Sequence, residues 1–368
     1  MAGGDEFTIG VEEEYQILDP VTRQLRPRAE SILSRSHGHG EAEIQAEMHL
    51  SQIEIATPVC RSLQNVRAEL VRLRREVIAS AAADGHVIAS AGTHPFSRWD
   101  EQQITPRERY LALEHDYQQV ARETVCFSYH VHVGIRDRDL AIQTMNRTRP
   151  WIATILALGA NSPFWLDRDT GYASFRTEVA RRWPTAGVHE VFKSRADYDR
   201  LLEGLVATGS IEDASNIYWD VRPSAHAETI EFRVTDVCLS VDEAVMVAGL
   251  CRAVARTCHD QALRDEPVDH PRSELLISAK WRAARHGLAS SLVDIARGCA
   301  SPAAVVVRGL LSFARPALEE AGEWDEVSSL VERTIARGTG ADRQRRAFER
   351  RGRLEDVVDM VVRETADI

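Results

Sequence analysis

Glu12 and Glu14 stand two residues apart near the start of the chain. In a β-strand residues so spaced share a face. Read as a strand over 7–15, the segment sets these carboxylates side by side, about 7 Å apart, with Ile9, Val11 and Tyr15 on the opposite face. The same alternation recurs three times. Glu54 lies between Ile53 and Ile55 in a strand over 51–57. His130 and His132 share one face of a strand over 126–134, with Val131 and Val133 on the other. Glu231 and Arg233 alternate with Ile230, Phe232 and Val234 over 228–235. A solvated sheet face ordinarily carries charge without any function. It favours Thr, Ser, Lys and Arg, however, whereas these four strands offer carboxylates and imidazoles and no lysine. Such a donor set suits a hard divalent cation, Mg²⁺ in particular, held by a few carboxylates plus substrate phosphates. Zinc is disfavoured by the excess of acids and the lack of a cysteine partner. Arg233 beside Glu231 would meet a transferring phosphoryl group, where a guanidinium stabilises developing negative charge.

The elements that must position these residues read as α+β. A further strand is expected over 87–91. Leu63, Val66, Leu70, Leu73 and Val77 recur at helical spacing, which predicts a helix from about Ser62 to Ala83 closed by Gly85. Capping signals at Thr105, Pro106 and Glu108, and at Ser240 and Glu243, predict two more helix starts. From about Ser273 onward the chain reads as helical throughout. The six arginines between Arg343 and Arg353 precede Leu354, Val357 and Val358, which reads as an amphipathic helix with a solvated basic face. Asn-Gly hairpin signals are missing, so the strands are expected to join through helices and long loops. No repeat or linker divides the chain, and a single domain over 1–368 is expected, with a helical C-terminal portion over 273–368.

A net charge of −11 argues against general affinity for nucleic acid. An acidic start and the lack of any long apolar run lead us to expect neither a secretory signal nor a membrane span, and so a cytoplasmic protein. The six cysteines form no C-x-x-C pair and read mostly as buried thiols.

The segments GVEEEY (10–15), SQIEIATPVC (51–60), AGTHPF (91–96), HVHVG (130–134), NSPFW (161–165) and WDVRPSAHAETIEFRVTD (219–236) resemble those of the bacterial carboxylate-amine ligases classed as glutamate-cysteine ligase type 2, relatives of glutamine synthetase. The resemblance implies a curved antiparallel sheet forming a funnel, helices on its outer face, and an ATP-dependent ligation through an acyl phosphate with Mg²⁺, or Mn²⁺ in its place. It implies Glu14, Glu47 and Glu54 as ligands of one cation, Glu12, His130 and Glu231 as ligands of another, His132 near the nucleotide phosphates, and Arg233 at the γ-phosphoryl group. Glu41 and Glu43 rival Glu47. Thr93 and His94 are expected at the substrate end of the funnel, or as a structural turn. Arg176 and Arg222 are candidates to grip substrate carboxylates, Arg222 alternatively serving an ion pair near Asp220. Trp219 is expected in the core. The expected partners are small amino-acid and amine substrates, with a homodimer as the commonest closed assembly.

Two other readings stand beside this one. H-x-H on a strand also opens amidohydrolase sites, but His189, His226 and His259 lack the context such sites need. A non-catalytic nucleotide or amino-acid sensor would be expected to lack a metal carboxylate or the arginine, and all are present here.

Overall fold

The structure, a computed structural model, describes residues 6–35, 43–268 and 270–368. Its strands, in chain order, are β1 (Ile9–Leu18), β2 (Ile44–Ala46), β3 (Gln52–Ala56), β4 (Val87–Ala89), β5 (Ser128–Gly134), the short pair β6 (Phe164–Trp165) and β7 (Arg168–Asp169), then β8 (Val221–Pro223), β9 (Thr229–Asp236), β10 (Ser291–Asp294) and β11 (Cys299–Pro302). Seven of these form one antiparallel sheet in the order β2-β3-β1-β5-β9-β8. β4 continues the sheet along the far half of β1, where Ile17 pairs with Ile88.

Alternation decides the two faces. Ile9, Val11, Tyr15, Ile53, Ile55, Val131, Val133, Ile230 and Phe232 are buried against helices Leu63–Ala83 and Val241–Leu263. Leu63, Val66, Leu70, Leu73 and Val77 are buried as their spacing predicts, each contributing roughly 1.5–3 kcal/mol. Ser62 caps this helix by accepting from Asn65 N, and Gly85 adopts φ +79° just beyond its end. Ser240 and Glu243 form the expected capping box.

Period two also sends Glu13, the middle acid of the run, to the core face. It is fully buried and tolerated because Arg74 meets it there, Nη2 to Oε1 at 2.5 Å and Nε to Oε2 at 2.9 Å. The Tyr15 hydroxyl donates to the same carboxylate, and Arg74 also donates to the carbonyls of Cys238 and Leu239.

Four expectations need correction. The helix expected at Thr105 spans Glu108–Tyr117, because the Thr105 hydroxyl donates to the Glu47 carbonyl at 2.5 Å instead of capping. Hairpins do occur, β2–β3 through 47–51 and β8–β9 through 224–228, without Asn-Gly. In the second, Ser224 N donates to Thr229 O while Ser224 Oγ accepts from the amides of His226 and Ala227. The segment from Ser273 is not helical throughout, since β10 and β11 form a hairpin turning at Gly298, φ +63°. The arginine-rich segment is two helices, Gly340–Glu349 and Leu354–Thr365, broken at Gly352, φ +67°. Its first arginine is not solvated: Arg343 is buried and pairs with Glu243 and Glu364.

Trp219 packs with Phe192 and Tyr198 in the core. Cys60, Cys238, Cys251 and Cys258 are buried, Cys126 is partly buried and Cys299 exposed. Among the described residues no helix is long and apolar enough to cross a membrane.

Candidate active site

The face of the sheet away from the helices lines a cavity of about 640 Å³. Strand register brings the predicted side chains together. Glu14 pairs with Glu54 across β1–β3, Glu12 with His130 across β1–β5, His132 with Glu231 across β5–β9, and Glu231 with Arg222 across β9–β8. Directly opposite residues hold their Cβ atoms about 5 Å apart, so the four pairs form a continuous charged wall. Opposite His132 on β1 stands Gly10, whose lack of a side chain leaves the wall open at that point.

A bulge in β9 completes the wall. Tyr129 pairs with Thr235 and Val131 with Phe232, so Arg233 and Val234 together oppose His130. Beyond the bulge the alternation shifts by one residue. Asp236 accordingly turns to the cavity side, where it is fully buried and accepts from Arg176 Nε at 3.0 Å and from the hydroxyls of Ser162 and Ser174. Gly92 lies against it. A Cβ there would meet Asp236 Cγ at 2.7 Å, a contact that requires glycine in the AGTHPF segment.

Among the described residues, two groups of ligand-type atoms each converge to within 4.8 Å: Glu12, His130 and Glu231, and Glu14, Glu54 and His130. The first trio is the expected one. In the second, His130 stands where Glu47 was expected. Glu47 lines the same cavity, close enough to raise the pKa of Glu14 and Glu54, and accepts from the Tyr110 hydroxyl at 2.7 Å. Its rival Glu43 pairs instead with Arg72, and Glu41 lies outside the described residues. Carboxylates with a single imidazole, converging at this spacing, are a donor set that fits a hard divalent cation.

The electrostatics divide along the wall. Burial works against ionisation of Glu12, but hydrogen bonds from His130 and His132 hold it well below the ordinary carboxylate range. Burial likewise opposes Glu231, yet Arg233 and Arg222 hold its pKa far down, and Glu231 in turn pushes that of Arg233 up. Arg222 Nε lies 2.8 Å from Glu231 Oε2, and the Arg233 guanidinium donates to Oε1. His132 is raised by Glu12 despite its burial, whereas burial and then Arg233 lower His130 to about 4. On the other side, burial and the charge of Glu47 push Glu14 up to about 7, against hydrogen bonds from Ser128 N and Oγ at 2.8 and 2.6 Å. Glu54 is raised further, by burial and by Glu12, Glu47 and Glu14, and Glu47 is raised by burial.

Arg176 and Arg222 line the cavity but are largely engaged already. Arg176 holds Asp236 and the carbonyls of Arg233 and Val234, and Arg222 the carbonyls of Ser215 and Ile217 besides Glu231. The ion pair considered for Arg222 is therefore with Glu231, not Asp220. Thr93 and His94 do not line the cavity. The Thr93 hydroxyl donates to the Phe164 carbonyl, and His94 sits between the Arg23 carbonyl and the amides of Phe96 and Ser97, which favours the structural reading of that turn. Cys126 does line the cavity, but burial pushes its thiol up to about 12, which makes it a poor nucleophile.

Sequence reading missed Gln45, which donates to Glu54 at 2.6 Å, as well as Tyr110, Ser128, Asp236, Asp220 and Lys280. Most sit on short strands, loops or helices that alternation does not reach. Ser128 had a signal, two residues before His130 on the same strand face, and so did Asp236, ending the strand that carries Glu231 and Arg233, though only the bulge aims the latter.

A profile of "Glutamate-cysteine ligase family 2 (GCS2)" matches residues 8–360. A protein of Frankia casuarinae, bearing the provisional name glutamate–cysteine ligase 2-2, is 43% identical over 98% of this chain, which spans 42% of that relative's length. Its namesake in Frankia alni is 42% identical over 97% of each chain, and a glutamate–cysteine ligase 2, again provisionally named, from Rhodopirellula baltica is 42% identical over 97% of this chain and 96% of its own. Among solved structures, glutamate–cysteine ligase from Francisella tularensis in complex with AMP superposes with a TM-score of 0.70 at 12% identity, over 98% of this chain and 88% of that one. A bifunctional glutathione synthetase from Pasteurella multocida gives 0.69 at 16% identity, over 98% and 53%. At these low identities the structural likeness speaks for the fold, and the sequence matches speak for the lineage. The chain belongs to glutamate-cysteine ligase family 2.

Proposed function

We propose that this chain is an ATP-dependent carboxylate-amine ligase that forms an amide bond through an acyl phosphate. The observation that carries the reading is the wall itself: two groups of cation-ligand atoms sharing His130, with Arg233 bonded to Glu231 at their edge. Glu12, His130 and Glu231 would hold one cation, and Glu14 and Glu54, with Glu47 beside them, a second. Mg²⁺ bound there, or Mn²⁺, would neutralise triphosphate charge that the carboxylates alone would repel. His132, its pKa raised by Glu12, faces the position of the phosphates, and Arg233 meets the γ-phosphoryl group in transfer.

In the first step an oxygen of the substrate carboxylate attacks the γ-phosphorus and ADP leaves. In the second the amine nitrogen attacks the acyl carbon, phosphate leaves with that oxygen, and the amine loses a proton. Arg176 and Arg222, fixed by Asp236 and Glu231, set positive charge where substrate carboxylates enter. Glutamate is the acid suggested by the names of the relatives, and cysteine is one candidate among small amines. As a user of ATP and small amino acids, the enzyme is placed in the cytoplasm by this reading.

The test supplies glutamate labelled with ¹⁸O in its side-chain carboxyl, ATP, Mg²⁺ and a panel of amino acids and amines. One labelled oxygen should emerge in inorganic phosphate, together with ADP. Label in AMP would mean adenylation, and unlabelled phosphate would mean that water attacks the nucleotide directly.

A further inference from the structure

Lys280 reaches into the cavity from the helix Ser273–His286, and its Nζ lies 2.5 Å from Asp220 Oδ1. Asp220 is only 7% exposed, lines the same cavity, and its second oxygen, Oδ2, is buried with no hydrogen-bond partner. A buried carboxylate oxygen left unpaired is costly, so a group missing from the protein is implied.

Its position is specific. Arg233 N donates to Asp220 O at 2.8 Å, and because Val221 pairs with Phe232, Asp220 is the cross-strand neighbour of Arg233 on the cavity face, about 5 Å away. The choice of lysine also tells. The chain has 45 lysines and arginines together, of which only Lys193 and Lys280 are lysines. A guanidinium could clamp both oxygens of Asp220 at once, whereas an ammonium takes one and keeps donors to spare. What remains is a spare donor on a cation beside a free acceptor on an anion. That is the complement of the zwitterionic head of an α-amino acid.

We propose that Lys280 and Asp220 bind the α-carboxylate and the α-ammonium of an amino-acid substrate, directing its side chain toward Arg233. The identification of that ligand as the substrate rests on the ligase reading; the binding itself does not. If the pair merely stapled the helix to the sheet, its loss would weaken every ligand alike.

The experiment titrates the full chain calorimetrically, with Mg²⁺ and a non-hydrolysable ATP analogue present, using L-glutamate, 4-aminobutyrate (no α-carboxylate) and glutarate (no α-ammonium). L-glutamate should bind about tenfold to a hundredfold more tightly than either analogue. Lys280→Met should erase the preference over 4-aminobutyrate and keep that over glutarate, and Asp220→Asn the reverse, with affinity for the ATP analogue unchanged in both. Should another amino acid, not glutamate, support ADP release, its own decarboxylated and deaminated forms replace the two analogues. Equal losses for all three ligands, unaltered preferences, or no preference in the parent would each overturn the proposal. ADP release with the ¹⁸O pattern described above would then leave the ligase reading standing.

Discussion

Two halves of one charged wall obey opposite electrostatics. Around Glu231 the protein supplies its own cations, Arg222, Arg233 and His132, and the acids Glu12 and Glu231 stay ionised despite burial. Around Glu54 that charge falls short: Glu14 and Glu54 are buried with the half-buried Glu47 beside them, and although Arg176 acts on Glu14 and Arg109 and Arg233 on Glu47, all three acids are raised. The first half has its acids ionised as folded. The second is short of positive charge, its acids held in place chiefly by Gln45, Ser128 and Tyr110, neutral groups that donate hydrogen bonds. A fold leaves acids in this state where a cation is to join them.

If built-in compensation is what allows a buried acid, removing it should be most costly where the acid is deepest. Arg74→Ala strips Glu13 of its partner on the core face, and should lower stability by about 3–5 kcal/mol in urea unfolding. A loss below about 1 kcal/mol would show that buried carboxylates need no partner here and would erase the contrast.

The uncompensated half sets the pH dependence of the metal-free chain. Glu14 is raised from 4.5 to about 7, so the folded state holds its proton longer than the unfolded state does. Its contribution is therefore complete below about pH 4.5 and lost as pH climbs through about 7, on the order of 3 kcal/mol. Glu12 and Glu231 are lowered and act in the opposite sense, losing their contribution as pH falls below the ordinary carboxylate range. Burial holds His49, His94, His130 and His189 near 4, which by itself raises stability between about pH 4 and 6.5. The deficit is therefore read against Glu14→Gln: unfolded in chelator from pH 5 to 8, the parent should lose stability relative to that variant. A flat difference between the two would contradict the charge deficit.

On the compensated half, Arg233→Lys should keep the fold and much of the ATP binding yet slow turnover about 10²-fold or more, since an ammonium cannot hold Glu231 and a phosphoryl group in the same fork. A rate within about threefold of the parent would place Arg233 outside the reacting centre. The smallest effect is expected at Glu54→Gln. It should stabilise the metal-free chain by about 1 kcal/mol at pH 8 by relieving repulsion, and weaken Mg²⁺ binding at the same time. Destabilisation in chelator would show that the charge of Glu54 is already satisfied.

Much of this was legible because alternation is a local signal. Period two placed Glu12, Glu14, Glu54, His130, His132, Glu231 and Arg233 on one face, and the strands carrying them formed within a few residues of the expected bounds. Register was not legible, since it is set by pairing between strands far apart in the chain, β1 with β5 above all, and with it went the grouping of His130 with Glu14 and Glu54. Nor were β2 and β8, each three residues long and too short to show a period. Arg74 was hidden by its own helix, where a charged residue beside Leu73 reads as the edge of the apolar stripe rather than the partner of a buried acid. Thr93 and His94 were left open between two readings for a related reason: a polar turn looks the same in sequence whether its side chains meet a ligand or the backbone.

The central claim, that this wall is built for divalent cations carrying a nucleotide, is tested most directly by calorimetric titration of ATP into the chain in millimolar Mg²⁺ and in excess chelator. Bare triphosphate faces Glu12, Glu14, Glu47, Glu54 and Glu231 in the cavity, where Arg222 and Arg233 are already engaged by Glu231, Arg176 by Asp236 and Lys280 by Asp220, so binding should be measurable with Mg²⁺ and at least about a hundredfold weaker without it. Equal affinity in the two conditions would contradict the account.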